Sequence, residues 1–161
     1  MRNGELLAVQ WRDVDLEAGT LQVKRTVFGG KVSPPKTASG RRTIRLSKLA
    51  IAALRQHRTN ANERHTSEWV FSSRAGTPIS VHDLHNRSWK PLLERAGLPA
   101  GTRMHDLRHS AATLLLSKGV AIKVISEMLG HADVSTTLSI YAHVLPDMQS
   151  IAADAADQAL G

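Results

Sequence analysis

Apolar positions along this chain recur mostly at helical spacing, and only the first quarter alternates as a strand does. Residues 105–118, 121–129 and 133 to about 141 carry apolar side chains at intervals of three and four, which predicts three consecutive helices. Gly119 and Gly130 close the first two as the glycines that follow a helix end. In the first helix Leu107, Ala111, Leu114 and Leu115 take the core face; in the third, Val134, Leu138 and Tyr141 fall at i, i+4 and i+7. Upstream, residues 4–10 predict a short helix with Leu6, Leu7 and Val9. Residues 11–15, 20–27 and 42–46 predict the strands of a small antiparallel sheet, the first two joined by the turn Glu17-Ala18-Gly19.

Between these blocks the punctuation is equally local. The Gly-, Pro-, Ser- and Lys-rich stretch before Arg42 predicts a mobile loop, and Ser47 caps a helix to about Thr59 with Leu49, Ala52 and Ala53 inward and Arg55 and Arg58 outward. Trp69, Val70 and Phe71 form a short buried segment. Ser80 and Asp83 make a capping box for a helix ending at Ala96 before Gly97, kinked by Pro91; His82 and His85 on it are surface residues without a role. Residues 147–160 read as an amphipathic tail helix with Met148, Ile151, Ala152 and Ala155 on one face and Asp147, Asp154 and Asp157 to the side. The fold class is α+β: one mostly helical domain over 1–161, with a three-stranded antiparallel sheet near its N-terminus and a tail helix over 147–161.

Charge sharpens the picture. The formal net charge is +7, and residues 21–60 hold ten Lys or Arg and no acid. That imbalance, in a chain with no apolar run long enough to span a bilayer, points to nucleic acid and not to a membrane. Lys31, Arg41, Arg42, Arg55 and Arg58 are the candidate backbone contacts. The absence of cysteine excludes disulfides, thiolate catalysis and cysteine zinc sites, and no signal peptide is visible, so a cytoplasmic protein is expected.

The chemistry concentrates between His105 and Tyr141. His105 and Arg108 lie three apart in HDLRH and project from neighbouring points of one helix face, with small Ala112 between their directions. Such a cation pair off the apolar stripe suits a phosphate. His131 follows the Gly130 stop, and Tyr141, the only tyrosine, fits either a core position or a functional one.

Taken in order, Arg2 and Glu5 in RNGE, Lys36 in PKT, His105 and Arg108 in HDLRH, His131 in LGH and Tyr141 in TLSIYAHV resemble the tyrosine site-specific recombinases, or phage-type integrases. The resemblance runs from Met1 to about Pro146. It implies a catalytic domain that cleaves and rejoins double-stranded DNA through a 3′-phosphotyrosyl intermediate, with no metal, no cofactor and no ATP. It implies Tyr141 as nucleophile, Arg2 and Arg108 as the phosphate fork, and Glu5 holding Arg2. His105 would assist proton transfer, His131 would donate to the phosphate, and Lys36 would act as general acid. It further implies a homotetramer on DNA in the full-length protein. The family's N-terminal core-binding domain and the first helix of its catalytic domain are expected to be absent from this sequence.

Three rivals share parts of this pattern. His105 and His109 at i, i+4 echo a zinc hydrolase, although Arg108 beside them would oppose a dication. A noncatalytic DNA-binding remnant would need only the basic surface. A type IB topoisomerase would nick and reseal one strand with the same kind of nucleophile.

Overall fold

The computed structural model describes residues 1–62, 67–141 and 148–160. The N-terminal half is built on two small sheets and two helices. Helix α1 (Asn3–Leu7) is followed by a 3-10 turn (Trp11–Asp13) and by β1 (Val14–Asp15), β2 (Thr20–Val23), β3 (Thr26–Phe28), β4 (Lys31–Ser33) and β5 (Arg42–Arg45). The expected three-stranded antiparallel sheet is present, in the order β1-β2-β5, with Leu21 opposite Ile44 and Val23 opposite Arg42.

Two expected strands are shorter than their apolar patterns, and one buried carboxylate accounts for both. Asp13 is almost fully buried and accepts the Gln10 backbone N–H at 3.2 Å, which closes a 3-10 turn where residues 11–13 were expected to extend. The same carboxylate draws in Lys24 and Arg25, so the strand expected over 20–27 breaks after Val23. Its remainder becomes β3, which pairs with β4 across Gly29 and Gly30, both at positive φ. The predicted mobile loop thus contains the turn and second strand of a hairpin, and its later part carries a 3-10 turn over Ala38–Gly40.

Val9, Leu21, Val23 and Val70 form the first core, covered by helix α2 (Lys48–Asn62). Ser47 caps α2 through the Ala50 N–H, as expected. The inward face differs: Ile51 and Leu54 are the partly covered aliphatics and His57 bonds the Val70 carbonyl, whereas Leu49 is 82% exposed and Ala52 and Ala53 face water. Two branched side chains and an imidazole cover more area than one leucine and two alanines, and the larger burial selects the face.

The middle of the chain follows the punctuation. Ser80 caps α3 (Val81–Leu84) by accepting the Asp83 N–H, while its hydroxyl donates to the Asp83 carboxylate, so only the serine half of the expected capping box forms; a π-turn runs His85–Trp89, and α4 (Lys90–Arg95) ends before Gly97. The π-turn falls directly before Pro91, which lacks the N–H an unbroken helix would use.

Helices α5 (Met104–Ser117), α6 (Ile122–Leu129) and α7 (Val134–Tyr141) enclose the second core of Ala112, Ile125, Leu129 and Tyr141. Here the expected faces need correction. Leu107 and Leu114 are 53% and 60% exposed, Ala111 faces water, and the buried residues of α5 are Arg108 and Ala112. On α7 the buried residues are Thr137 and Tyr141, while Leu138 is exposed. In both helices a polar side chain with a fixed hydrogen bond, and not the greasiest stripe, turns the face inward. The tail is helical as α8 (Met148–Leu160), with Ala155, Asp154 and Asp157 exposed. The side chains of Met148, Ile151 and Ala152, and all of 142–147 including Asp147, lie outside the described residues.

Gly130 ends α6 at φ +70°, and a Cβ there would meet the Arg42 guanidinium. Gly130→Ala is expected to cost about 2 kcal/mol, from left-handed strain plus displacement of Arg42. Gly101→Ala, where a Cβ meets nothing and φ is not positive, is expected to stay within about 0.5 kcal/mol of the unsubstituted chain, read by urea denaturation.

Candidate active site

Arg108 sits on the inner face of α5, 8% exposed. Its Nη2 donates to the Leu129 carbonyl at 2.7 Å and meets His131 Nε2 at 3.0 Å. Its Nη1 is buried and has no hydrogen-bond partner among the described residues. Burial, then the nearby charge of Arg2, lowers its pKa to about 10, against the pull of Glu5, so it remains a cation at neutral pH.

The turn after Gly130 delivers His131 to this guanidinium. A guanidinium only donates, so Nε2 must accept; Nδ1 then carries the proton and donates to Thr137 Oγ1 at 2.7 Å. Thr137 is completely buried. Burial, and then Arg108, Arg2 and Arg42, push the His131 pKa below its ordinary value.

Glu5 is the counter-charge. It accepts the Arg2 backbone N–H at 2.8 Å and Arg2 Nη1 at 3.2 Å, holding Arg2 as the sequence predicts. It also receives Arg42 Nη2 at 2.8 Å. Burial alone would raise its pKa, but the hydrogen bonds from Arg42 and the Arg2 backbone outweigh burial and hold it low. Arg42, expected as a backbone contact for DNA, is instead a brace: its side chain is 8% exposed and also donates to the Gly40 carbonyl and, through Nε, to the Met128 carbonyl. A run of basic residues gives no sequence signal for which one turns inward. Arg2 is half exposed, so one guanidinium edge remains open beside the buried Arg108.

Of its two readings Tyr141 meets the core one: it is 2% exposed, and Arg108 acts on its charge from close by. Burial outweighs Arg108 and raises its pKa, so the cationic neighbours do not yield a phenolate in this state. Its hydroxyl lies 3.0 Å from Nδ1 of His109, a residue that the sequence singled out only as a zinc ligand. His105, expected next to the nucleophile, is exposed and meets the His109 ring edge-on at 5.0 Å. Burial, then His109 and Arg108, lower the His105 pKa. The i+4 spacing of the two histidines was visible, but which of them α7 approaches was not. Among the described residues no group of three His, Cys, Asp or Glu could hold a metal ion.

The remaining candidates stay outside this cluster. Lys36 is exposed beyond β4, with no hydrogen bond or ion pair among the described residues. Lys31 and Arg41 are exposed as well. Arg55 bonds Glu17 at 2.7 Å and Arg58 lies over Trp11; both edge an open groove of about 710 Å³ that none of the Arg108 cluster lines.

A partly satisfied buried arginine, a second arginine at its edge, a neutral histidine and a nearby phenol are groups whose chemistry suits a phosphate ester. The chain belongs to the phage integrase family, whose model matches residues 1–148. It is 32% identical to a tyrosine recombinase XerC-like protein of Caldanaerobacter subterraneus subsp. tengcongensis over 96% of this chain and 45% of that protein. Its fold matches the crystal structure of XerA recombinase with a TM-score of 0.73 at 27% identity, over 92% of this chain and 52% of that one. It matches XerH site-specific recombinase bound to its difH substrate before cleavage with a TM-score of 0.66 at 26% identity, over 94% of this chain and 41% of that one. The chain spans about half the length of the curated relatives it matches. Among the described residues, no helix is long and apolar enough to cross a membrane.

The depressed pKa of His131 fixes a pH dependence. Between its folded value and 6.5 the unfolded chain binds the proton and the folded chain does not, so stability falls as pH drops from about 6.5 through the folded value. An NMR titration of the imidazole is expected to give a midpoint below 6.5 for the free protein and a higher one with a bound phosphodiester. A free midpoint at or above 6.5 would contradict the buried neutral assignment.

Proposed function

We propose that this chain is the catalytic portion of a site-specific tyrosine recombinase that cleaves and rejoins double-stranded DNA. Arg108 carries the reading: a buried cation with one nitrogen committed to structure and the other unpartnered among the described residues is a site prepared for an anion. In this reading the scissile phosphate lies between Arg108 and the open edge of Arg2, where two guanidiniums stabilise charge developing on the nonbridging oxygens. His131 supplies a further hydrogen bond once the phosphate displaces its contact with Arg108 and Nε2 takes up a proton beside the anion. Tyr141 attacks phosphorus, leaving a 3′-phosphotyrosyl link and a 5′-hydroxyl, and Lys36 protonates the departing oxygen from its exposed loop.

Deprotonating an ordinary phenol at pH 7 costs about 4 kcal/mol, and burial increases that cost for Tyr141. The tucked tyrosine is therefore a resting arrangement, and engagement with DNA must bring the phosphate within reach of its hydroxyl. Charge is neutralised by Arg2, Arg108 and the His131 that has taken up a proton, with no divalent cation or cofactor. Lys31 and Arg41 track the DNA backbone, with Arg55 and Arg58 further along α2. The full-length protein works in the cytoplasm as a homotetramer on DNA, and residues 1–161 form one catalytic domain whose tail helix serves assembly.

The test is covalent trapping on nicked suicide duplexes. The unsubstituted chain is expected to yield a protein–DNA adduct in excess EDTA, Tyr141→Phe none, and Arg108→Ala about 100- to 1,000-fold less. An adduct from Tyr141→Phe would remove the nucleophile assignment, and loss with EDTA restored by zinc would revive the hydrolase reading.

A further inference from the structure

The Tyr141 hydroxyl has one hydrogen-bond partner among the described residues, and it is His109 Nδ1 at 3.0 Å. The two rings are 5.9 Å apart and inclined at 52°, so the contact is made through the polar atoms and not by stacking. His109 follows Arg108 on α5 and is half-buried, whereas His105, one turn earlier, is exposed. The imidazole of His109 therefore stands between the buried phenol and the outer surface, and His105 reaches its edge from the solvent side.

We propose that His109, and not His105, holds the Tyr141 hydroxyl before reaction and takes its proton as the tyrosine attacks. This assignment rests on the recombinase reading above. A buried phenol keeps its hydrogen, and a neutral imidazole protonated at Nε2 accepts it at Nδ1. As the bond from Tyr141 Oη to phosphorus forms, the phenol proton passes to His109 Nδ1. The bond from phosphorus to the 5′-oxygen breaks, and its electron pair takes a proton from Lys36. In rejoining, a 5′-hydroxyl attacks the phosphotyrosine, gives up its proton to Lys36, and the leaving phenolate recovers its proton from His109. Each group ends as it began, so no co-reactant is consumed.

His105 and Arg108 lie beside His109 on α5, Tyr141 faces it from α7 and His131 from the turn before it, with Asp106 as the nearby acid.

The experiment measures adduct formation by the unsubstituted chain, His109→Gln and His105→Gln on a random-sequence library of nicked suicide duplexes, between about pH 6 and 9. Gln can still accept the hydroxyl's hydrogen bond but cannot carry its proton. His109→Gln is expected to slow the reaction at least about 100-fold near pH 7, with the rate then rising close to tenfold per pH unit, because only ionised phenol reacts without a base. His105→Gln is expected to lose less and to keep the original profile. Unchanged melting and an ultraviolet titration of the sole tyrosine show that His109→Gln is folded; should it fail to fold, His109→Asn takes its place in the same assay. If His109→Gln reacts at the original rate, or slowly with the original pH profile, His109 is not the acceptor, and if His105→Gln acquires the steep profile the role belongs to His105. No adduct from the unsubstituted chain would remove the recombinase reading and this assignment with it, whereas an adduct that His109→Gln leaves untouched removes this assignment alone.

Discussion

A guanidinium taken out of water costs several kcal/mol unless its donors are matched, and Arg108 is taken out of water with only part of its fork matched. Much of the C-terminal half is arranged around that constraint. The Leu129 carbonyl that satisfies Nη2 is one of the free carbonyls at the end of α6, available because Gly130 stops the helix in a left-handed conformation. The same stop places His131 against the guanidinium and Thr137 against His131. From the N-terminal half, Glu5 supplies the nearest negative charge, and Arg42 ties it to α6 through the Met128 carbonyl. The site is thus assembled from both ends of the chain by hydrogen bonds to helix termini, and the two halves cannot separate without exposing buried charge.

Tyr141 combines core packing with a buried polar contact. Its ring belongs to the second core, and its hydroxyl is the polar tip that such a ring needs to satisfy when buried. Burial raises its pKa while Arg108 pulls the other way, and in the free protein burial wins. Under the proposed function, this burial keeps the tyrosine neutral until a phosphate competes for Arg108.

The order of motifs was legible in the sequence because helix stops, caps and short charged motifs are local. Gly119, Gly130, Ser47, the Ser80 and Asp83 cap and the Arg2 and Glu5 pair all act within a few residues of themselves. Helix faces were not legible in the same way. The apolar stripe through Leu107 and Leu114 was the obvious core face of α5, yet it lies in water, because the opposite face carries Arg108 and the groups that bond it are 21 and 23 residues away. Arg42 was hidden among exposed basic neighbours for the same reason, its partners being 37 and 86 residues distant. His109 lay in plain view beside Arg108, but its partner is on another helix, 32 residues on.

Under the proposed function, the unpartnered edge of Arg108 is kept for a phosphate. The most direct measurement is the melting temperature of the unsubstituted chain and of Arg108→Gln in inorganic phosphate and in chloride at matched ionic strength. Phosphate bound at Arg108 stabilises the folded state by mass action, so the unsubstituted chain is expected to melt higher in phosphate, saturably, while Arg108→Gln gains nothing beyond its value in chloride. An equal gain in both proteins, or none in either, would contradict it.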